Sequence, residues 1–600
     1  ALKALDAATD QVRIILKSDR GVIRDPVVSF DGNRILFSMR KDETDSYHLY
    51  EINADGTGLK QLTSAPDVSD IQPVYLPGGG IMFSSTREPK YIHCQRHLMA
   101  NLFLMEGDGA NIRQIGHNTL FEGRGSIMPD GRVLYSRWEY VDKHFSSAYG
   151  LWTTNPDGTG QTLIFGGLSW QPGAMMDARV IPGASRIVCI YGSVHGPESG
   201  AMVIVDPARG RDGPGPVVRS WPGDLSPYLA HWNTPGRIAG DEYDSFLKVP
   251  IKYQSPYPLS DKLILCARMI SARVQKMAIF LVDTAGGETL LHQEDSDCYQ
   301  PMPLVPSACP PVIPGRNMPD DPDGLFYVSD VYRGSGMESV RRGTVKELRV
   351  VEAPAKLTYP PMGIGDWAAP DDSHSHHPVA VNWNHYNAKR VLGTVPVEPD
   401  GSASFTVPAG KFVYFQLLDE KGRMIHSMRS GTTLQPGEQQ GCVGCHDYHS
   451  APPAAKGVQA MNRAPSRIAP GPASFSYERE VQPVLDRHCV ECHDYGKTPG
   501  SKVNLSGDRG VVFSASYVSL MAASPGIWSN SGTKPLVSTV GSGPLPALHP
   551  YAWGSTRSRL ADLLIAGHKK VRLTDNELRR IAPAEILAAD SGSAKVIRPF

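Results

Sequence analysis

Two stretches, SFDGNRILFSMR (Ser29–Arg40) and INADGTGLKQLT (Ile52–Thr63), specify the architecture of the first half of this chain. Each combines an Asp-Gly turn with a short apolar segment. The second pattern returns as MEGDGANIRQI near Asp108 and TNPDGTGQTLI near Asp157, so that Asp55, Asp108 and Asp157 are 53 and 49 residues apart. Strand, turn and strand at a period of about 50 residues are typical of four-stranded propeller blades.

We therefore predict a mainly β protein that begins with a β-propeller of about six blades over residues 1–345. The repeat resembles those of TolB-like proteins. The later strands KLILCARM, MAIFLVDTAGG and DGLFYVSD fit it less regularly, and a β-sandwich is the alternative fold.

The composition allows two to four domains in 600 residues, because one hydrophobic core does not extend through a chain of this length. A net charge of −1 favours neither nucleic acid nor an anionic membrane as partner. No apolar run reaches the length of a membrane-spanning helix. The start, ALKALDAATD, is interpreted as a mature or trimmed end.

The motif Cys-x-x-Cys-His occurs twice near the C-terminal end, in GCVGCHDYHS (441–450) and HCVECHDYGK (488–497). Two thiols at this spacing reach the two vinyl groups of one porphyrin, and the adjacent histidine then lies under the iron. We predict two covalent c-type haems, on Cys442, Cys445 and His446 and on Cys489, Cys492 and His493. A four-thiolate zinc site is the rival interpretation. Covalent haem implies a periplasmic or otherwise exported protein.

The second motif follows a short amphipathic helix, because Val481, Val484, Leu485 and His488 recur at helical spacing. A later helix ends at Gly567, and a capping box begins the last helix. The candidate ligand for the far side of this iron is His568. Met521 and His549 are its competitors, and the alternative interpretation of His568 is a surface histidine.

Residues 346–450 alternate apolar and polar positions between Gly-containing turns, which predicts a small β-domain that ends in the first haem motif. A Pro/Ala-rich linker is predicted over 451–474 and an α-helical cytochrome c domain over 475–600.

Three features together resemble one family: the propeller, the stretch VPVEPDGSASFTVPA…VYFQLLDEKG…CVGCH, and VQPVLDRHCVECH followed by a late Gly-His. The chain resembles the alpha subunit of hydrazine synthase and its wider relatives. The resemblance implies an electron-transferring bis-histidine haem on His493 and His568. It also implies a five-coordinate first haem, with Tyr448 as an iron ligand and His446 turned towards a zinc ion, and companion subunits. Zinc or calcium is a further candidate cofactor.

Several other residues are candidates for chemistry or metal binding. Asp447 and His449 are the nearest acid and base groups to the first haem, beside Tyr448. A distal ligand, a proton relay or a metal site could come from a histidine cluster, and each of its members could equally be a solvated loop residue: His374, His376, His377 and His385. The insertion YIHCQRH offers His93, Cys94 and His97 for a metal, or is an ordinary loop.

The lone cysteines are expected to be buried small hydrophobes, with a Cys298–Cys309 disulfide as an alternative for that pair.

The functional prediction is an oxidoreductase that acts on a small molecule, such as a nitrogen compound, at the first haem and exchanges electrons with redox partner proteins through the second. A dihaem electron carrier and a haem-based sensor or scaffold are the alternatives, since His426 or the histidine cluster could close the first iron.

Overall fold

The computed structural model describes the chain except for residues 93–96, 140, 144–148, 234–242, 335, 358–388, 446–456, 471–475, 501, 510–513, 523–535, 539–547 and 588–600. The chain divides into two compact units. Unit 1 comprises 1–89, 98–139 and 146–317, and unit 2 comprises 90–97, 140–145 and 318–600.

In its described residues, unit 1 opens with a hairpin of two strands and continues with five antiparallel four-stranded sheets whose strands follow the chain in order. The hairpin consists of β1 (Leu2–Asp6) and β2 (Gln11–Leu16). The sheets are β3 (Val22–Val28), β4 (Arg34–Arg40), β5 (His48–Asn53) and β6 (Lys60–Gln61); β7 (Asp70–Tyr75), β8 (Ile81–Ser85), β9 (Asn101–Met105) and β10 (Arg113–Gln114); β11 (Glu122–Ile127), β12 (Val133–Trp138), β13 (Tyr149–Thr154) and β14 (Thr162–Gly166); β15 (Ala174–Val180), β16 (Ile187–Gly192), β17 (Ala201–Val205) and β18 (Val217–Trp221); and β19 (Tyr253–Pro258), β20 (Leu263–Met269), β21 (Met277–Asp283) and β22 (Glu288–His292).

The repeated aspartates form the turns that their spacing predicts. The carboxylate of Asp55 accepts a hydrogen bond from the amide of Thr57 at 2.8 Å, and Asp157 accepts one from Thr159 at 3.0 Å. The glycine after Asp55, Gly56, has φ of +93°, which a side chain would disfavour. These local hydrogen bonds stabilise a turn between one strand and the next. Consecutive strands therefore become neighbours in the sheet.

A ring of side chains links the first strands of the sheets around one cavity of about 80 Å³. The ring residues share a left-handed backbone with φ between 50° and 57°; they are Asp25, Gln72, Arg124, Asp177, Ser255 and Gln300. Hydrogen bonds join neighbouring members from Gln300 through Asp25 to Ser255: for example, Asp25 accepts from the Gln72 amide at 3.1 Å, and Gln72 accepts from the Arg124 amide at 2.9 Å. Gln300 donates to Asp25 at 3.0 Å. This arrangement is propeller-like.

The predicted strand DGLFYVSD does not belong to the propeller-like unit, which corrects that part of the prediction. It forms β23 (Asp323–Val328) in unit 2, because it pairs with Ala403–Pro408 through six residue pairs. The chain therefore divides at Asn317/Met318, whereas the predicted boundary is 345/346. In the described part of unit 1 the sixth position around the cavity holds the segment at Gln300 instead of a four-stranded sheet.

The described β-structure of unit 2 consists of two sheets around a common core that includes Phe326, Val350, Phe405 and Phe415. One sheet has the order β29-β23-β26-β30 and the other β28-β27-β24-β25-β31. The strands are β24 (Glu347–Glu352), β25 (Arg390–Pro396), β26 (Ala403–Pro408), β27 (Val413–Leu418), β28 (Met424–Ser427), β29 (Gln439–Cys442), β30 (Ser466–Arg467) and β31 (Ala469–Pro470). The last two show that part of the predicted linker is paired with this domain.

All α-helices of the described chain lie after residue 475. They are α1 (Gln482–His488), preceded by a π-helical turn at Tyr477–Val481, then α2 (Ala515–Ala522), α3 (Arg559–Ala566) and α4 (Asp575–Leu587). Val481, Val484 and Leu485 are buried as the periodicity predicts, in a cluster that also contains Leu564. Short 3-10 helices occur at Pro207–Arg209, Ser245–Lys248, Met337–Ser339 and Gln459–Asn462. No described helix is long and apolar enough to cross a membrane.

Candidate functional site

The second cysteine motif continues directly from α1. The amide of Cys489 bonds to the carbonyl of Leu485 at 2.8 Å, and the amide of His493 bonds to the carbonyl of Cys489 at 2.9 Å. The motif is therefore wound as a compact turn on the end of a helix whose apolar face is buried. Cys489 packs against that core, whereas Cys492 is exposed.

His493 and His568 lie opposite each other, with their ring centres 6.2 Å apart and their planes inclined at 49°. A metal bound to both rings at about 2 Å from each nitrogen would separate the centres by roughly 6 Å, because each nitrogen lies about 1 Å from its ring centre. Nδ1 of His493 lies 3.0 Å from the carbonyl oxygen of Val503, which leaves Nε2 for a metal. The spacing of this pair is the spacing that two histidines bound to one metal ion require.

The loop that carries His568 is held at both ends. Gly567 ends α3 with φ of +82°, and Leu564 of α3 is buried in the core. After the loop, Thr574 and Glu577 form the predicted capping box: the Thr574 amide donates to Glu577 at 2.9 Å, and the Glu577 amide donates to the Thr574 hydroxyl at 3.3 Å. Position 568 is therefore set by two helices.

Glu577 also connects this loop to the helix before the motif. Its carboxylate lies 3.0 Å from Nε2 of His488 and 2.9 Å from the guanidinium of Arg487. The hydrogen bond from the Thr574 amide, followed by that of His488, lowers the pKa of Glu577 to about 2. The sequence suggested only the cap. The contacts with α1 could not be inferred, because about 90 residues separate the partners.

The first motif begins at the end of β29, which runs parallel to β23. The Cys442 carbonyl accepts from the Ser329 amide at 2.9 Å, and the Cys445 amide donates to the Arg333 carbonyl at 2.9 Å. Both cysteines pack against the core of the β-domain. Burial raises the pKa of the Cys445 thiol to about 12.

Close packing at Gly334 holds the first motif in place. A Cβ on Gly334, where φ is +121°, would lie 1.4 Å from the carbonyl oxygen of Cys445. The remaining residues of the motif and its predicted acid, base and metal-binding partners lie outside the described residues: His446, Asp447, Tyr448, His449, His374, His376, His377 and His385. His93 and Cys94 of the separate insertion YIHCQRH also lie outside them, whereas His97 is described and exposed.

The competing histidines occupy other places. His549 is exposed and lies beside Gly336 in the β-domain, and His426 is buried in β28 opposite Leu417. The side chain of Met521 lies outside the described residues. The structure therefore brings His568, and not His549, to the ring of His493. His426 is a candidate for the first iron, and His446 of that motif lies outside the described residues.

The lone cysteines resolve into two groups. Cys189 and Cys266 are fully buried, as predicted. Cys298 and Cys309 are both free thiols, so the alternative of a disulfide between them is wrong: Cys309 contacts the carbonyl of Pro77, and Cys298 lies near Ser296.

A group of His292, Glu294 and Cys298 was missed by the sequence reasoning. The spacing His-x-Glu-x-x-x-Cys is the signal that could have identified it.

Comparison with known proteins finds similarity for the middle domain and for most of the chain. Residues 343–447 match the family model described as the hydrazine synthase alpha subunit middle domain. Hydrazine synthase subunit alpha of Kuenenia stuttgartiensis is 21% identical over 534 residues, which are 74% of this chain and 62% of that protein. This chain thus spans less than two thirds of that relative's length.

The solved structure of Kuenenia stuttgartiensis hydrazine synthase has a TM-score of 0.73 to this fold at 18% identity and covers 98% of this chain and 90% of that one. TolB from Acinetobacter baumannii matches with a TM-score of 0.25 over 34% of this chain and 45% of its own, at 16% identity. The middle domain matches the hydrazine synthase alpha family model, and most of the chain is similar to hydrazine synthase subunit alpha in sequence and in fold.

Proposed function

We propose that this protein is a dihaem c-type oxidoreductase that acts on a small nitrogen compound at the first motif and moves electrons through the second. The observation that carries the proposal is the pair His493 and His568, whose ring centres are 6.2 Å apart beside a Cys-x-x-Cys-His turn. When bound at these two motifs, haem supplies one-electron redox chemistry and an iron that binds small ligands.

In this proposal the two motifs have different functions, because different residues of the chain surround them. Val503 orients His493, and the loop between α3 and α4 presents His568, so two strong ligands close the second site. Such a site favours electron transfer, because little rearranges when the oxidation state changes. The exposed Cys492 places one edge of this site near solvent, within reach of a redox partner protein.

The first motif differs because Cys442 and Cys445 attach to a β-domain core instead of a helix end. Asp447, Tyr448 and His449 follow within four residues of Cys445 and are the proposed proton donors and acceptors, with His446 and Tyr448 as the proposed metal ligands. Likeness to a hydrazine synthase subunit supports nitrogen compounds as the substrate class and companion subunits as partners. Haem attachment would make the mature protein periplasmic or otherwise exported.

Two measurements on protein exported with its haem-attachment machinery test the proposal. Intact mass should exceed the polypeptide mass by two haems; an excess of one or none would refute the dihaem assignment. Electron paramagnetic resonance of the oxidised protein should show a high-spin signal from about half of the iron. Two low-spin signals, with no uptake of nitric oxide or carbon monoxide after reduction, would instead identify a dihaem electron carrier or scaffold.

A further inference from the structure

A compact group of metal-binding side chains lies at the end of the last sheet of unit 1, within a part of the chain that the proposed function does not use. Nitrogen, oxygen and sulfur donors of His292, Glu294 and Cys298 lie within 4.8 Å of one another, and all three residues are partly buried. A fourth residue, Asp10, reaches the group from the turn of the hairpin β1–β2, with its carboxylate 3.0 Å from Nδ1 of His292.

The backbone brings these donors together. His292 ends β22 opposite Ile279 of β21. The chain then turns back, so that the amide of Cys298 bonds to the carbonyl of Met277 at 3.0 Å and the amide of Met277 bonds to the carboxylate of Asp297 at 2.8 Å. The loop 293–297 is thus closed at both ends by β21, and little conformational entropy remains to be lost when a ligand binds.

The hydrogen-bond polarity of His292 suits a metal ligand. A carboxylate on Nδ1, here Asp10, fixes the tautomer that has its lone pair on Nε2, which is the usual outer partner of a metal-bound histidine. Nε2 lies 3.2 Å from Glu294, on the side of the other two donors. The competing arrangement is an ion pair, in which a protonated His292 bridges both carboxylates and Lys3 contacts Glu294.

The two arrangements are each neutral in charge. In the ion pair, Lys3 and His292 balance Asp10 and Glu294. With a divalent ion, neutral His292 and positive Lys3 accompany the carboxylates and a Cys298 thiolate, and the sum is again zero. The net charge of the group therefore does not disfavour binding of a divalent metal ion. The donor types favour zinc, since a mixed set of imidazole, thiolate and carboxylate suits zinc and does not suit calcium or magnesium.

We propose that His292, Glu294 and Cys298 bind one zinc ion, with water in the fourth position and Asp10 as the outer partner of the histidine. Zinc would fasten the N-terminal hairpin to the last sheet through Asp10, and three protein ligands plus water leave a coordination position open to exchange.

The test uses the full-length, haem-loaded protein, equilibrated with micromolar zinc sulfate and desalted, with zinc and iron counted by elemental mass spectrometry. Cys298→Ser and His292→Ala should each lose one zinc per chain relative to the unsubstituted protein. Asp10→Asn should keep full zinc at saturation but bind it roughly 10- to 100-fold more weakly in competition with a chelator. Cys309→Ser is the matched control, because its thiol is exposed and its hydrogen-bond partners among the described residues are the carbonyls of Pro77 and Pro310. The zinc content of this variant should not change.

Equal zinc content in the unsubstituted protein and both ligand variants would overturn the proposal and leave the ion pair. X-ray absorption at the zinc edge gives a decision that does not depend on any variant's folding. One sulfur neighbour at about 2.3 Å that disappears in Cys298→Ser supports the site. A spectrum of the unsubstituted protein without a sulfur neighbour refutes it.

Discussion

Replacing His568 with alanine distinguishes the two proposed iron sites experimentally, because it should change only the second one. The side chain is exposed and its ring lies 6.2 Å from that of His493, so its removal deletes the contact across the metal position and almost no core packing. The cost in lost packing should stay within about 0.5 kcal/mol, as for other surface substitutions, and a larger destabilisation of the haem-loaded protein would report the lost bond to iron. One of two irons, about half of the total, should then change from low spin and closed to open for exogenous ligands.

Carbon monoxide binding to the reduced protein, titrated against total iron, measures this change. Carbon monoxide is suitable because it displaces weak substitute ligands such as the neighbouring Lys569. The matched control is His549→Ala, an exposed histidine that lies beside Gly336 in the β-domain. We expect about one additional carbon monoxide per chain for His568→Ala and none for the control. Equal uptake by the unsubstituted protein and His568→Ala would show that His568 is not the ligand.

Two further predictions concern the supports of the motifs. Glu577→Gln should destabilise the C-terminal segment by about 1 kcal/mol in urea unfolding followed by the haem absorption. Because folding lowers the Glu577 pKa from 4.5 to about 2, the difference from the unsubstituted protein should be complete above pH 4.5 and disappear as the pH falls towards 2; a pH-independent difference would contradict this. Gly334→Ala should displace Cys445 and reduce haem attachment at the first motif, measured by intact mass. Gly343→Ala, where φ is +85° but no atom lies within 4 Å of the new Cβ, should retain both haems; equal haem content in the two variants would refute the steric argument.

Much of the local structure could be predicted because its causes are close in sequence. The Asp-Gly turns form through contacts such as that from Asp55 to Thr57, two residues apart. The helix α1 follows from the spacing of Val481, Val484 and Leu485, and the cap of α4 from Thr574 and Glu577. In each case the residues that bond or share a face lie within one or two turns of chain, so the pattern is visible in the sequence.

Partners far apart in sequence could not be assigned this way. DGLFYVSD has the alternation of a propeller strand, but its partner is Ala403–Pro408, about 80 residues later. A strand pattern describes which face is apolar and does not identify which edge it meets. The hydrogen bond from Gln300 to Asp25 joins residues 275 positions apart. It depends on a left-handed backbone conformation at both residues, which the residue types glutamine and aspartate do not predict.

The sequence by itself determined the chemistry that is available: two Cys-x-x-Cys-His motifs, a histidine after Gly567, and the turns that divide the strands. The tertiary structure alone decided which groups meet. It placed His568 opposite His493, and it gathered His292, Glu294 and Cys298 around one point with Asp10 behind them. The physical reason is that covalent spacing and hydrogen bonding act over a few residues, whereas the burial of apolar faces brings distant segments together and depends on the whole chain.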